Sequence, residues 1–155
     1  LGVKKAVKAQ VNALSRQITQ TKIGTDAGDV LIGADQADLL LGLAGSDELH
    51  GGLGADVLLG GPGRNRYVYA SIDDSPAGSR SQDRILGFTA AEQVDLSAVA
   101  GELAYIGQQA FSGLPGQVRF AKSLLQLDQN GDRLADLQIL ISGSGRFSEA
   151  NLLLQ

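Results

Sequence analysis

Five nine-residue units run head to tail from Gly24 to Val68, and this period constrains the fold more than any other feature of the chain. The units read GTDAGDVLI, GADQADLLL, GLAGSDELH, GGLGADVLL and GGPGRNRYV. Every unit has glycine in its first place, a carboxylate or amide in its sixth and a large side chain in its eighth. These positions are Gly24, Gly33, Gly42, Gly51 and Gly60; Asp29, Asp38, Asp47, Asp56 and Asn65; and Leu31, Leu40, Leu49, Leu58 and Tyr67.

A period of nine is too short for a helical repeat and predicts a parallel β-coil, in which each unit forms one turn and one short strand. Two units would complete one circuit, so successive units should alternate between two sheets. The eighth-place side chains are expected to point inward. The turn glycines are expected to allow positive φ and a close approach of carbonyl groups to an ion.

The sixth-place side chains predict calcium sites, because Ca²⁺ prefers hard oxygen ligands. The ion takes about six to eight oxygens, more than one turn can supply, so stacked turns must share each ion. We therefore expect two to about four ions. The predicted pairs are Asp29 with Asp47, Asp38 with Asp56 and, more weakly, Asp47 with Asn65.

The fourth place of the last three units is also glycine, at Gly45, Gly54 and Gly63, and these residues belong to the predicted metal-binding turns. The first two units have Ala27 and Gln36 there instead. Two further carboxylates stand near those first turns as candidate additional ligands, Asp26 and Asp35.

Composition points to cations as partners. Residues 1–22 carry five basic residues and no acidic one, whereas the rest of the chain carries 8 basic and 17 acidic residues, which disfavours nucleic acid. The chain has no cysteine, so calcium could provide the stabilisation that disulfides give many secreted proteins. We expect no transmembrane segment, since no apolar run is long enough. The start at Leu1 without Met predicts a fragment or a processed chain.

Residues 1–20 predict an amphipathic helix within an N-terminal segment 1–22, because apolar residues recur every three or four positions. On the even-numbered units the outward seventh and ninth places are all apolar, and such a face is rarely left in water. We expect this helix to cover it; the alternatives are a neighbouring domain or a second copy of the chain. The face consists of Leu39, Leu41, Val57 and Leu59.

The sequence after the repeats predicts further strands, with a hairpin turn at Asn130-Gly131. The expected strand segments are 84–88, 92–99, 116–121, 123–128 and 136–142. Oxygen-bearing residues around this turn have the spacing of an EF-hand loop, but Ile139 stands where the bidentate Glu is expected, so a hairpin is the preferred interpretation. Those residues are Asp128, Asn130, Asp132 and Asp136.

The fourth unit, GGLGADVLL, resembles the repeats-in-toxin (RTX) nonapeptide GGxGxDxUx, in which U is a large apolar residue. The segments YVYASIDDS, QDRILGF, QVDLSAV and LDQNGDRLADLQILISG resemble the C-terminal domain of serralysin-type metalloproteases. The resemblance implies an all-β fold: a parallel β-roll over 23–69, then an antiparallel β-sandwich-like cap over 70–155. It also implies bound Ca²⁺ and a C-terminal signal for type I secretion. Of the acidic residues Asp73, Asp74 and Asp83, it favours Asp83 as the ligand that closes the end of the roll.

Catalysis is not expected of this chain, which has no cysteine, one histidine and no nucleophile motif. That histidine, His50, occupies an outward ninth place and is expected to face solvent. We predict a non-catalytic calcium module at the C-terminus of a secreted bacterial protein, exported by a type I apparatus. It would fold on meeting calcium outside the cell and assist an upstream cargo such as a metalloprotease, lipase or polysaccharide-modifying enzyme. The alternative is a calcium-dependent binding or adhesion module.

Overall fold

The computed structural model describes residues 18–155, which form two β-sheets around a shared core. The strands are β1 (Gln20–Ile23), β2 (Val30–Ile32), β3 (Asp38–Leu41), β4 (Glu48–His50), β5 (Val57–Leu59), β6 (Arg66–Val68), β7 (Asp83–Phe88), β8 (Gln93–Asp95), β9 (Ala104–Tyr105), β10 (Gln117–Ala121), β11 (Leu124–Asp128), β12 (Leu137–Gly143) and β13 (Leu152–Leu153). Two 3₁₀ turns lie at Ile72–Asp74 and Glu149–Asn151. None of the described elements is a helix with the length and apolarity needed to cross a bilayer.

The repeats form the predicted parallel coil, with successive units in opposite sheets. In one sheet β1, β3 and β5 pair in parallel, and Leu40 lies beside Leu58. In the other, β2, β4 and β6 pair in parallel, and Leu31 lies beside Leu49. Each partner stands two units along the chain, which confirms the expected two-unit circuit.

The eighth-place side chains build the core of the coil. The side chains of Leu40, Leu49, Leu58 and Tyr67 are all 0% exposed, and they meet between the two sheets. Leu31 packs against them but is only partly buried, because it lies at the N-terminal end of the coil. Full burial of such a side chain contributes about 1.5–3 kcal/mol, so the inward row supplies the main drive for stacking the units.

The chain before Gly24 continues the coil as a degenerate unit. In β1, Gln20 lies opposite Asp38, and Lys22 lies opposite Leu40, in the inward place. The Lys22 ammonium donates to the carbonyl oxygen of Ile32. The predicted helix over residues 1–20 is therefore wrong at residue 20, and its segment 1–22 ends in β1, where strand pairing with β3 prevails; residues 1–17 lie outside the described part of the chain.

Both sheets run on into the region expected to form a cap. The eight-stranded sheet has the order β1-β3-β5-β7-β12-β11-β10-β9, and the five-stranded sheet has the order β13-β8-β6-β4-β2. The pairs β10–β11 and β11–β12 are antiparallel, as expected, whereas β7 and β8 pair in parallel with β5 and β6. The all-β prediction is confirmed, and the structure adds that roll and cap share both sheets.

The loop between β11 and β12 forms a hairpin, which confirms the preferred interpretation. Both oxygens of Asp128 accept backbone N–H bonds, from Gly131 at 2.7 Å and from Arg133 at 2.9 Å. Asp136 accepts the N–H of Gln129 at 2.7 Å. These carboxylates hold their own loop together, so they do not form an EF-hand ligand set.

The apolar outer face of the even-numbered units is partly buried, with Leu39 and Val57 buried and Leu41 and Leu59 intermediate. Leu39 and Val57 are buried together with Leu86 of β7, and Leu41, Leu59 and Ile18 pack against them. Ile18 is the first described residue of the chain, and the rest of the helix expected to cover this face lies outside the described residues. On the opposite sheet the outward side chain of Val30 is 64% exposed, so the two outer faces differ as expected.

Candidate metal centre

The first-place glycines are required by close packing. A methyl group on Gly24 would lie 2.6 Å from the carbonyl oxygen of Gly42 and 2.8 Å from Oδ2 of Asp29. A methyl group on Gly42 would likewise meet Oδ2 of Asp47 and, at 2.6 Å, the carbonyl oxygen of Gly60. Each first-place glycine thus lies against its own sixth-place side chain, and oxygens crowd the inside of the turn.

Positive φ occurs instead at the second and fourth places of the last three units. The fourth-place glycines have φ of 116° at Gly45, 120° at Gly54 and 142° at Gly63. The second place holds Leu43 at φ 74°, followed by Gly52 and Gly61 at 89° and 85°. The expected positive φ is confirmed at these two places and is wrong for the first place.

The sixth-place side chains form two ladders, one at each edge of the coil. In the odd ladder, Asp29 N–H donates to Oδ1 of Asp47 at 2.9 Å, and Asp47 N–H donates to Oδ1 of Asn65 at 3.0 Å. In the even ladder, Asp38 N–H donates to Oδ1 of Asp56 at 2.8 Å. The structure therefore brings together all three predicted pairs.

The second carboxylate oxygen separates the first two units from the rest. Oδ2 of Asp29 accepts the N–H of Thr25 at 2.6 Å, and Oδ2 of Asp38 accepts the N–H of Ala34 at 2.6 Å. Within residues 18–155, the buried Oδ2 atoms of Asp47 and Asp56 have no hydrogen-bond partner, and neither has the buried Oδ1 atom of Asp38 in the second unit. A buried polar atom without a partner is costly, and for a charged group the cost is larger still.

The even ladder ends at Asp83. This residue begins β7 in register with Asp56, whose N–H donates to Oδ1 of Asp83 at 2.8 Å. Asp83 is 0% exposed, and its Oδ2 makes no hydrogen bond to any described residue. Asp83 therefore lies at the end of the roll, and its predicted role as a metal ligand stays a prediction.

The odd ladder ends at Glu92, which the sequence analysis missed. Asn65 donates from Nδ2 to Oε1 of Glu92 at 2.8 Å, and the Tyr67 hydroxyl donates to the same oxygen at 3.2 Å. Glu92 follows Asn65 by 27 residues, which is three periods of nine rather than the two that separate ladder partners within the roll, so the two-unit step did not point to it. Tyr67 itself is fully buried, as expected of an eighth-place side chain.

Burial raises the pKa of these carboxyl groups. The pKa of Asp56 rises from 3.8 to about 7, chiefly because the charged form is desolvated. Desolvation also raises the pKa of Asp83 well above its ordinary range, and the nearby charge of Asp56 raises it further. Neighbouring N–H donors oppose these shifts without cancelling them, so the even ladder favours either protons or a cation.

The remaining candidates lie away from the ladders. Asp26 and Asp35 are exposed, and Asp74 accepts the N–H of Ala70 at 2.7 Å. His50 lies on the outer face and pairs with Glu48 at 2.6 Å, which confirms an outward position. Across the described chain, no three acidic, histidine or cysteine side chains gather as a metal-binding group, so any ion here must also use backbone carbonyls.

The repeats match a known family. A profile described as the RTX calcium-binding nonapeptide repeat (4 copies) matches residues 23–58 and 32–67. Residues 23–67 are RTX calcium-binding nonapeptide repeats. They form a calcium-binding repeat module, and the hard, partly unpaired oxygens inside these RTX turns fit that ion.

Solved structures similar to the RTX module and its flanking strands come from an epimerase. The AlgE6R3 subunit of the Azotobacter vinelandii mannuronan C5-epimerase has 24% identity and a TM-score of 0.49, covering 88% of this chain and 83% of that chain. The AlgE6R2 subunit of the same enzyme has 20% identity and a TM-score of 0.40, covering 87% of this chain and 92% of that chain. No curated protein matches the sequence.

Proposed function

We propose that the RTX turns of units three to five bind calcium and that this binding drives the coil to fold. The observation that carries the proposal is the pair of buried, unpartnered oxygens on Asp47 and Asp56. In the first two turns a backbone N–H already occupies the equivalent atom. We therefore assign the ions to the turns that have left-handed residues and lack that N–H bond; Oδ1 of Asp38 in the second unit is unpartnered as well and adds an oxygen at the even edge.

Charge and glycine content support folding on calcium binding. Stacked carboxylates with unpaired oxygens destabilise the coil when no cation is bound, and ordering its many glycines adds an entropic cost. An ion that binds only the folded form stabilises it by about 2.7 kcal/mol per site at 100-fold saturation. Two or three such sites would contribute about 5–8 kcal/mol, which is comparable with the whole stability of an ordinary domain, about 5–15 kcal/mol.

The proposal extends to a module of a secreted protein with no chemistry of its own. Extracellular calcium modules work at roughly 10⁻⁴–10⁻³ M, above the cytosolic range. The chain would stay unfolded inside the cell, pass through a type I exporter and fold outside, helping an upstream cargo to fold. The calcium repeats and the lack of cysteine support this proposal. Fusion of a reporter to this chain, expressed with and without a type I exporter, tests it: exporter-independent release would contradict it.

Calcium titration of the purified chain tests the binding step. Circular dichroism should show little strand signal in chelator and a cooperative rise with calcium, and calorimetry should count the ions. Asp47→Asn should raise the midpoint of the titration, whereas the matched control Asp35→Asn removes the same charge from an exposed turn and should leave it unchanged. A strand signal that is complete in chelator would refute the proposal.

A further inference from the structure

Unit five departs from the repeat pattern at two places, and both of these side chains contact Glu92. Asn65 stands where the other units have aspartate, and Tyr67 stands where they have leucine. Nδ2 of Asn65 donates to Oε1 of Glu92 at 2.8 Å, and the Tyr67 hydroxyl donates to the same oxygen at 3.2 Å. The two departures therefore form one contact, which joins the last turn of the odd ladder to the residue before β8.

The Asn65 side chain has the reverse polarity of its counterpart in the first turn. Oδ2 of Asp29 accepts the N–H of Thr25, the second residue of its unit. In unit five the corresponding atom is a nitrogen, and it donates to the carbonyl oxygen of the second residue, Gly61, at 2.8 Å. Oδ1 of Asn65 accepts the N–H of Asp47 at 3.0 Å, so both amide hydrogens and the amide oxygen are paired.

The Tyr67 hydroxyl completes the pairing of the same turn. In units one to three the N–H of the first-place glycine donates to a strand carbonyl, as from Gly24 to Leu41 at 2.8 Å. At Gly60 it donates to the Tyr67 hydroxyl instead, at 3.1 Å, and that hydroxyl donates on to Glu92. A leucine in this place could make neither bond.

Glu92 is saturated by donors as well. Its Oε1 accepts from Asn65 and Tyr67, its Oε2 accepts the N–H of Thr89 at 2.7 Å, and the residue is 1% exposed. Burial raises the pKa of Glu92, and these three donors oppose the rise because they favour the charged form. One step earlier on the same ladder, Oδ2 of Asp47 has no partner among the described residues. The two steps therefore differ in whether their oxygens need a cation.

The charge around Asn65 does not favour a cation either. Unit five has two arginines and no acidic residue, whereas each of the first four units carries a net negative charge. Arg64 and Arg66 stand on either side of Asn65, and both line the cavity that also contains Asn65 and Glu92. Two guanidinium groups beside this turn would repel a divalent ion.

We infer that the Asn65 amide takes the place of a calcium ion at the last step of the odd ladder, so that hydrogen bonds join β6 to β8 there. Calcium takes oxygen ligands, whereas a side-chain NH₂ group only donates, so the residues at this step do not fit the ion. The inference rests on the proposed calcium binding and limits it. The odd edge holds its ion with Asp47, and none lies between Asn65 and Glu92.

Ion counting by calorimetry tests the inference with matched exchanges of carboxylate and amide. Glu92→Gln should leave the calcium stoichiometry unchanged, whereas Asp47→Asn, one step earlier on the same ladder, should lower it by one ion per chain. Asn65→Asp restores the repeat pattern and should raise it by one, because two carboxylates and the Gly61 carbonyl would then face one another. Gln108→Glu adds the same charge at an exposed position and should leave the count unchanged.

Hydrogen exchange measured by NMR on the unmodified, calcium-loaded chain does not depend on the folding of any variant. The side-chain amide protons of Asn65 should exchange far more slowly than those of Asn130, which is exposed, and this measurement decides if Glu92→Gln fails to fold. Loss of an ion in Glu92→Gln, a folded Asn65→Asp chain without the extra ion, or equal exchange at Asn65 and Asn130 would overturn the inference and leave the proposed calcium roll intact. If the unmodified chain binds no calcium, the proposed function fails and the inference fails with it.

Discussion

Without calcium, the stability of this fold should fall as the pH rises from 5 to 8. The shift in the pKa of Asp56 allows the size of this loss to be calculated. Its pKa is 3.8 when exposed and about 7 in the folded chain. The folded form therefore binds more protons than the unfolded form between these values. The stability that protonation of Asp56 gives is complete below pH 3.8 and is lost as the pH passes through about 7.

The size of the effect follows from the two pKa values. Between pH 5 and pH 8, Asp56 alone should cost the calcium-free protein about 2.5 kcal/mol of unfolding free energy. For a chain of this size, that loss lowers the melting temperature by about 5–10 °C. Asp83 acts in the same direction, because burial raises its pKa as well. Calcium should then stabilise the fold strongly at pH 8 and weakly at pH 5, where protons compete for the same oxygens.

Thermal melts followed by circular dichroism, in chelator and in saturating calcium at pH 5, 6.5 and 8, measure both effects. Asp56→Asn should flatten the pH dependence in chelator, because the amide does not titrate. The control Asp35→Asn, in an exposed turn, should keep the dependence of the unmodified chain. If the calcium-free melting temperature does not change with pH, or if Asp56→Asn retains the full slope, the argument from buried carboxylates is refuted.

Two substitutions test the packing that surrounds the ladders. Gly63→Ala should prevent stacking of the fifth turn, because its methyl group would overlap the carbonyl oxygen of Gly45. The control is Gly101→Ala, whose methyl group would meet no described atom within 4 Å. This control should lose only about 1–2 kcal/mol of stability, from the strain of a positive φ. Chemical denaturation in saturating calcium compares the two, and equal losses would contradict the argument from close approach. Val57→Ala should cost about 2 kcal/mol in the same assay, because Val57 is 2% exposed on the partly buried outer face. Val30→Ala, at the same place of a unit on the other sheet, should cost little because Val30 is 64% exposed, and equal costs would contradict the difference in burial between the two faces.

The repeat period was enough to predict most of the roll. A fixed phase of glycine, acid and apolar residue determines which strands pair and which side chains point inward, because both follow from the length of one circuit. The same phase predicted the three ladder pairs. It did not reveal β1, because Gln20 and Lys22 stand where the pattern has an acid and a leucine, and strand pairing with β3 overrides their composition.

The ladder ends keep the nine-residue phase, but they do not keep the two-unit step that pairs turns within the roll. Asp83 was expected only through the family resemblance, and Glu92 was not expected at all, because each follows its ladder partner by 27 residues, three periods instead of two. Sequence also could not show which oxygens remain unpaired. That depends on whether the N–H of the second residue turns toward the carboxylate, as at Thr25, or away from it with positive φ, as at Gly52.

The parallel pairing of β7 with β5 and of β8 with β6 has a consequence for the order of assembly. Forming the first circuit of a coil is unfavourable, because it fixes many backbone torsions before pairing with neighbouring strands offsets the lost conformational entropy. Once strands β7 and β8 have formed, each has a free edge with which β5 or β6 can pair. The coil can then lengthen one circuit at a time toward residue 24, starting from the end of the chain that a ribosome makes last.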